Sequence, residues 1–295
     1  MGLAGIMIPV TSGLIDGLLL FLVASGLTLI FGVLRILNFA HGGFFMLGAY
    51  IGYTLMLGRS LGVFAFVALL VAAAAGVGLI GLVSERVVFR RLYGASETEA
   101  LLGTYALLLI LQGAAQVVWG VNPVSQGAPP SLAGALFLGQ VIIPQYSILL
   151  VAVTVVVLFS LEAGLRMTRL GMHVRAVAFD RRMASALGID GVRVSLATVV
   201  VGAVLAGLGG ALAGPTQSLL PSLAGDFIIQ AFAVVIIGGL GSIYGALIAA
   251  LLAGILNSLA AAYAPGFAGY TLYALMVLVL ILRPQGLFGA AMGSE

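Results

Sequence analysis

Charge is confined to a few short stretches of this chain, and that distribution constrains the fold more than any other feature. No charged residue occurs between Glu99 and Glu162, and only Asp226 occurs between Arg193 and Arg283. About 25% of the residues of a soluble domain are charged, whereas only 7% are charged here and 62% are hydrophobic. Such long apolar runs cannot be covered by polar surface, so the sequence predicts an all-α integral membrane protein.

The charged stretch from Glu162 to Arg193 holds six of the twelve arginines. A charged island between apolar runs must lie in water, and its excess of arginine indicates the cytoplasmic side. A helix is predicted over Met172 to Leu187, which lack Gly and Pro, and Gly188 follows where a left-handed cap needs no Cβ. This helix has two interpretations: an interfacial helix with snorkelling arginines, or a docking helix for a cytoplasmic partner.

The apolar runs predict a single transmembrane domain over residues 1–295, built as a polytopic helical bundle of eight or nine spans. About 20 apolar residues cross a bilayer, and nine runs qualify: residues 11–34, 40–57, 61–84, 100–119, 141–161, 194–214, a run ending at 238–242, 243–263 and 266–282. The N-terminus is then outside, the C-terminus is inside, and residues 85–99 form a second charged cytoplasmic loop. Short Gly-broken segments that are re-entrant would lower the number of spans.

Asp16 is an acidic residue within the first predicted span. A charge in a membrane segment is a candidate for function. Because Asp16 is expected within two turns of the helix start, an acid at the membrane interface is the favoured interpretation.

Two polar, Gly-rich breaks interrupt the apolar runs. Non-helical backbone at membrane depth survives only when it is buried or lines a cavity, so Asn38 and His41 either bond exposed carbonyl groups or line a gate. Gly-interrupted segments in both halves of a chain indicate a pathway in repeat-built transporters. The candidate pathway residues are Asn38, His41, Gly42, Gly43, Gly238, Gly239 and Gly241.

The chain lacks the residues that several classes of enzyme require. It has no Lys for a Walker A loop, no Cys for a thiolate, and only two histidines, which lie on different segments. We therefore predict no enzymatic activity, no catalytic residue, no metal site, no cofactor and no nucleic-acid partner. The scarcity of intramembrane charge disfavours a proton-coupled carrier, and the polar breaks disfavour a plain scaffold. A translocation subunit driven by a partner is favoured over a self-sufficient carrier or channel.

Four motifs resemble the LivH-type permeases, the membrane subunits of ABC importers for branched-chain amino acids. The resemblance covers nearly the whole chain, with the motifs in order at residues 27–50, 168–190, 237–243 and 283–289. It implies the ABC importer permease fold and a multi-pass location in the bacterial cytoplasmic (inner) membrane. Relatives in this family also carry urea, short amides or aromatic acids, which remain alternative substrates.

The resemblance also implies partners and a coupling site. The expected partners are a LivM-like sister permease, two cytoplasmic ABC ATPase subunits, an extracytoplasmic substrate-binding protein and membrane lipid. Coupling to the ATPases is expected in the loop of residues 162–193, with Ala184, Ala186 and Gly188 near the small-residue positions of the family's loop. The expected coupling residues are Arg175, Asp180, Arg181, Arg182, Ala184, Ala186 and Gly188.

Overall fold

The computed structural model describes residues 3–138 and 141–289, which form a bundle of α-helices. The helices are α1 (Leu3–Leu34), α2 (Ala40–Met56), α3 (Val63–Ser84), α4 (Arg90–Leu92), α5 (Glu97–Trp119), α6 (Gln145–Met167), α7 (Arg169–Phe179), α8 (Arg181–Ala186), α9 (Gly191–Ala213), α10 (Leu223–Gly238), α11 (Ile243–Tyr263) and α12 (Thr271–Leu282). A small antiparallel hairpin of β1 (Ala135–Leu138) and β2 (Val141–Pro144) precedes α6.

Six helical segments among the described residues are long and apolar enough to cross a membrane. They are Gly5–Leu34, Val63–Leu92, Glu97–Trp119, Gln145–Met167, Gly191–Ala213 and Ile243–Tyr263. This confirms an all-α polytopic membrane protein. Helices α2, α10 and α12 have 17, 16 and 12 residues. At 1.5 Å per residue they are about 25, 24 and 18 Å long, short of a hydrocarbon core of about 30 Å. The number of spans, eight or nine, stays a prediction.

Helix α1 lies at the centre of the bundle and packs against α9 and α11. Gly13 and Gly17 of α1 meet Gly254 of α11 so closely that an added Cβ would overlap the opposing backbone. Helix α2 crosses α9 in the same way, with Gly48 against Gly207. Small residues at such crossings let helix backbones approach in lipid, and they fix α1 and α2 around one core.

The second charged stretch is more helical than the sequence predicts. A π-helical turn, Glu85–Phe89, continues α3 into α4, so the helix extends to Leu92. Arg is a good helix former, and the charged residues here extend the helix instead of ending it. The connection from α4 to α5 is short, because Ser96 starts α5 with a capping box. Ser96 Oγ accepts from Glu99 N at 3.3 Å, and Glu99 Oε2 accepts from Ser96 N at 2.8 Å.

The helix predicted over residues 172–187 is two helices, α7 and α8, separated by Asp180. Asp180 Oδ1 accepts hydrogen bonds from Arg182 N at 2.8 Å and Met183 N at 3.0 Å, so Asp180 is the N-cap of α8. An aspartate that bonds the following backbone amides competes with helix continuation, and this corrects the single-helix prediction. Gly188 has a φ of +83°, which confirms the left-handed cap.

Several arginine-bearing segments meet at one end of the bundle. Arg35 Nη2 donates to the carbonyl oxygen of Ala178 at 3.4 Å, and the guanidinium of Arg181 lies 5.3 Å from the centre of the Tyr93 ring. Arg59 follows α2 at the other end of the bundle. The positive-inside rule assigns this arginine-rich end to the cytoplasm, and the orientation of the charged loops stays a prediction.

Candidate translocation pathway

The first break carries the chain back along α1 before α2 begins. His41, fully buried, donates from Nε2 to the carbonyl oxygen of Val23 at 2.9 Å. Val23 lies 11 residues before the end of α1 at Leu34, or about 16 Å along the helix axis. Helix α2 therefore starts beside the middle of α1. Arg35, at the start of the connection, has a φ of +54°, a conformation that non-glycine residues adopt rarely.

Thr104 of α5 holds the irregular backbone of this break in place. Its Oγ1 accepts from Phe39 N at 3.3 Å, and its one hydroxyl proton is shared between Leu37 O at 3.0 Å and Leu101 O of its own helix at 3.1 Å. Backbone groups inside a membrane must find partners within the protein, and Thr104, fully buried, supplies two bonds at once. Non-helical backbone is thus kept between α1 and α5, as the sequence predicts for a break at membrane depth.

Asn38 lies between the two backbone groups that Thr104 binds, and its side chain is fully buried. Neither its Oδ1 nor its Nδ2 has a hydrogen-bond partner among the described residues. An unsatisfied buried polar group costs about 1–3 kcal/mol, and such groups in native proteins often mark function. The sequence left two roles for Asn38, bonding exposed carbonyl groups or lining a gate. Its contacts do not support the first role.

The glycines of the first break serve close packing. Gly42 meets the backbone of Ala224 in α10, and Gly43 meets the side chain of Leu111 in α5. With His41 against α1, the start of α2 is enclosed by three helices. These contacts give Gly42 and Gly43 a packing role and leave any pathway role for them a prediction.

The second break is a tight turn at the arginine-rich end of the bundle. Helix α10 ends at Gly238, and Gly239 and Gly241 have φ values of +99° and +85°, which only glycine adopts readily. The C-terminal segment closes on the turn, with Phe288 N donating to Gly238 O at 3.0 Å. The two breaks border one cavity, through Leu37 of the first and Leu240 of the second. Asn38 and His41 are fully buried, whereas Gly241 is exposed. The pathway role predicted for Gly238, Gly239 and Gly241 stays a prediction.

Two cavities open towards the two ends of the bundle. The inner cavity has a volume of about 600 Å³ and adjoins the first break; its lining includes Phe31, Leu34, Arg35, Ile36, Leu37, Leu101, Arg181, Ile236 and Leu240. The outer cavity has a volume of about 280 Å³; its lining includes Asp16, Leu19, Leu20, Gln217, Phe227, Gln230, Asn257, Leu272 and Tyr273. The inner cavity is mainly apolar, whereas the outer cavity combines a carboxylate and amides with an apolar wall.

Both cavities lie along one face of α1. Asp16 and Leu20 line the outer cavity, and Phe31 and Leu34 line the inner one. Leu27, which is buried, falls on the same face between them, because residues three, four or seven apart on a helix share a face. One continuous strip of α1 therefore connects the outer cavity to the inner cavity.

Two aromatic contacts join α10 to its neighbours near the cavities. Phe227 lines the outer cavity, and its ring stacks on Phe45 of α2 with 4.0 Å between centroids. Phe39 follows Leu37, which lines the inner cavity, by two residues and lies 4.9 Å from the ring of Phe232. These pairs connect α2 and the first break to α10.

The predicted coupling loop has an inner and an outer face. Val177 and Ala184 are buried against the permease's own helices, with Ala184 only 3% exposed. Phe179, Met183 and Leu187 are 90%, 60% and 75% exposed. Among the expected coupling residues, Arg175, Arg182 and Ala186 are exposed as well, as is Gly188. The small size of Ala184 is explained by packing within this chain, so its position does not support the predicted contact with an ATPase.

Arg181 connects this loop to the membrane helices. It lies over Tyr93, whose hydroxyl donates to Oε1 of the fully buried Glu85 at 3.0 Å. Burial, the charge of Glu85 and this hydrogen bond raise the pKa of the Tyr93 phenol above its usual range. Tyr93 therefore stays a protonated donor, and α8 is linked to the π-helical turn at the end of α3.

Sequence reasoning missed several residues that matter to this arrangement. Thr104, Gln230 and Asn257 are polar residues within largely apolar helices, and a polar side chain at membrane depth was the available signal. Asp16 was predicted within two turns of the start of its helix, but α1 begins at Leu3, more than three turns earlier. No group of three His, Asp or Glu side chains in residues 3–138 and 141–289 is placed to hold a metal ion.

The fold and the cavities define an all-α polytopic membrane protein with separate outer and inner cavities. The chain belongs to the family described as "Branched-chain amino acid transport system / permease component", whose model matches residues 10–282. This confirms the resemblance to LivH-type permeases, a family of transport permeases.

Three relatives illustrate the similarity. The chain is 31% identical to the high-affinity branched-chain amino acid transport system permease protein BraD of Pseudomonas aeruginosa over 94% of each chain. It is 31% identical to the corresponding LivH protein of Escherichia coli over 91% of this chain and 90% of the relative. The LivM protein of Escherichia coli is also 31% identical, over 89% of this chain and 66% of the relative. No solved structure matches the chain at a significant level.

Proposed function

We propose that this chain is the transmembrane permease subunit of an ATP-driven ABC importer for branched-chain or related small amino acids. It is a single transmembrane domain of eight or nine spans in the bacterial cytoplasmic membrane. It works with a LivM-like sister permease, two cytoplasmic ABC ATPases and an extracytoplasmic substrate-binding protein. Membership of the permease family and the similarity to branched-chain amino acid transport permeases support this proposal.

The outer face of α7 and α8 is the observation that carries the coupling role. Phe179, Met183 and Leu187 are large apolar side chains exposed at the arginine-rich end of the bundle, which lies in water. Exposed apolar patches at aqueous surfaces mark interaction sites. The inner face of the same helices packs on α1, α6 and α9, so a push on the outer face is transmitted to the membrane helices. A cytoplasmic ATPase is the partner that an importer requires there.

Asn38 marks the constriction of the pathway in this proposal. Its neighbour Leu37 lines the inner cavity, and the buried amide of Asn38 has no partner within the described residues. The pathway around it is mainly apolar, so this part of the path binds a passing amino acid weakly and contributes little selectivity. His41, Gly42 and Gly43 hold the start of α2 in position beside Asn38.

The coupling role is tested with one apolar side chain at each end of the bundle. Phe179→Ser removes an exposed apolar side chain at the end of α7. Phe64→Ser is the control, because Phe64 is 93% exposed at the start of α3. We expect Phe179→Ser to insert and to pair with the sister permease, but to co-purify poorly with the ATPases and to lose ATP-dependent leucine uptake. Phe64→Ser should retain the ATPases.

A steric test completes the experiment. Ala186→Trp adds bulk to the exposed face and should release the ATPases from an otherwise intact permease. Ala184→Trp adds the same bulk to the buried face and should lower the stability of the permease itself, since overpacking costs about 1–3 kcal/mol. Normal ATPase recovery and uptake with both Phe179→Ser and Ala186→Trp would contradict the coupling role.

A further inference from the structure

We infer that the outer cavity is a transient binding site for the ammonium end of an aliphatic amino acid, with Asp16 as the anionic ligand. The site would receive the substrate after its release from the binding protein and before it passes the aromatic pairs. This inference rests on the proposed function and deepens it, because it specifies which chemical class of substrate the permease itself accepts.

The position of Asp16 suits an entry site. Asp16 lies 18 residues before the end of α1 at Leu34, or about 27 Å along the helix axis. Since the hydrocarbon core is about 30 Å thick, the carboxylate lies near the outer boundary of the core when Leu34 is at the inner one. Asp16 is exposed in the structure and lines the outer cavity. A carboxylate here meets substrate arriving from outside before the apolar part of the path.

The lining of the outer cavity matches both charged ends of a zwitterion. Asp16 is the one charged side chain among the described residues that line it, and an ionised carboxylate only accepts hydrogen bonds. Asn257 Oδ1 accepts from Gly269 N at 2.7 Å and from Thr271 Oγ1 at 3.3 Å, so its amide NH₂ group is what it can offer to a ligand. The amides of Gln217 and Gln230 add further donors for a substrate carboxylate.

The rest of the cavity matches an aliphatic side chain. Leu19, Leu20, Phe227 and Leu272 supply an apolar wall. The volume of about 280 Å³ is ample for a small ligand, since an apolar cavity of roughly 150 Å³ holds benzene. The apolar wall continues along the face of α1 towards Leu27, so a bound aliphatic side chain points into the direction of transport.

The charge of the cavity discriminates among the substrates known for the family. A single carboxylate attracts an ammonium group and repels an anion. Urea and short amides carry no charge for Asp16 to bind, and an aromatic acid without an amino group is repelled. The outer cavity therefore favours amino acids over the alternative substrates.

The site can be probed by thiol labelling, because the chain has no Cys of its own. Gln230→Cys places one thiol in the outer cavity of the assembled complex, with the other subunits free of reactive cysteines. Leu14→Cys is the control: Leu14 is exposed on the opposite face of α1, two residues from Asp16. A water-soluble maleimide is added from outside in the presence of L-leucine, 3-methylbutylamine, 4-methylpentanoate or urea. All four ligands are used at the same millimolar concentration.

We expect L-leucine and 3-methylbutylamine to slow labelling of Gln230→Cys, by about threefold when the ligand is at twice its dissociation constant. The carboxylate 4-methylpentanoate and urea should give no protection, and labelling of Leu14→Cys should not respond to any ligand. Adding Asp16→Asn, which keeps the shape of the side chain, should abolish protection by the amine and reduce ATP-dependent leucine uptake.

Protection by 4-methylpentanoate or urea equal to that by the amine would overturn the inference. Amine protection that persists in Asp16→Asn would overturn it too. The proposed function is tested by a different result. A complex that shows the predicted protection but no ATP-dependent leucine uptake would support the binding site and contradict the importer function. A complex with normal leucine uptake but no protection retains the importer and contradicts the site.

Discussion

At the first break, residues 35–43, the chain turns back along α1 and starts α2 beside Val23. At the second, residues 238–241, it reverses direction at the very end of α10. The first break is held by a side chain, Thr104, and leaves the amide of Asn38 without a partner among the described residues. The second is held by backbone hydrogen bonds from the C-terminal segment, including Leu287 N to Ile237 O at 2.8 Å.

The comparison teaches that a Gly-rich interruption of an apolar run has two physical origins. In the second break Gly239 and Gly241 are required by their positive φ values, as a turn between antiparallel helices demands, whereas Gly238 serves close packing against Gly245. In the first break the glycines are helical and serve close packing, while the polar residues accompany irregular backbone deep in the bundle. The first break meets the condition under which irregular backbone at membrane depth persists, and we propose that the pathway passes it. A pathway role for the second break stays a prediction.

Of the substitutions that distinguish the two breaks, Thr104→Val is expected to lower the stability of the complex most. The substitution keeps the shape of the side chain but leaves Leu37 O and Phe39 N without their partner, at about 1–3 kcal/mol for each unsatisfied group. Thermal unfolding of the purified complex measures the loss. Thr154→Val is the matched control, because Thr154 is also buried but bonds only Leu150 O in its own helix. Equal destabilisation by both substitutions would show that Thr104 does not hold the first break.

A smaller effect is expected at the second break from Gly239→Ala. A residue with a Cβ in the left-handed region costs about 1–2 kcal/mol, and a Cβ at Gly239 would also overlap the backbone of Gly289, which adds to this cost. We expect a lower unfolding temperature but unchanged leucine uptake per assembled complex. Gly225→Ala, at an open position within α10, should stabilise the helix slightly. Uptake that falls further than assembly in Gly239→Ala would bring the second break back into the pathway.

How much of this could be predicted from the sequence depends on the range of the interactions. The membrane class, the cytoplasmic charged loops and the cap at Gly188 follow from composition and local pattern. The split at Asp180 was also local, but an Asp within a helical pattern does not reveal whether it caps a new helix. The pairing of Thr104 with Leu37 and Phe39 joins residues more than 60 positions apart, and no local pattern encodes it.

The outer cavity was missed for the same reason. Asp16, Gln230 and Asn257 come from three helices, and Gln217 comes from a connection between helices. Each looks like an isolated polar residue in the sequence. The face of Ala184 was also unpredictable, because only the packing of α8 on the other helices decides which of its small residues is buried.

The smallest effect is expected from the aromatic contacts beside the first break. Phe39→Leu removes the contacts of Phe39 with Phe232 and Tyr105, and an aromatic pair contributes about 0.5–1.5 kcal/mol beyond its buried area. The unfolding temperature should fall less than in Thr104→Val. Phe137→Leu is the control, since Phe137 is 72% exposed in β1. Equal stability of the Phe39 and Phe137 variants would show that the aromatic pairs do not hold the break against α10.

Asn38→Leu tests the central claim, that the first break lines the pathway, most directly. The substitution removes a buried amide with no partner among the described residues, so the unfolding temperature of the complex should stay the same or rise. ATP-dependent leucine uptake per assembled complex should nevertheless fall by roughly tenfold, equivalent to about 1.4 kcal/mol of added barrier. Gly241→Ala, measured beside it, should lower stability and leave uptake per complex unchanged. Wild-type uptake by a stable Asn38→Leu complex would contradict the claim.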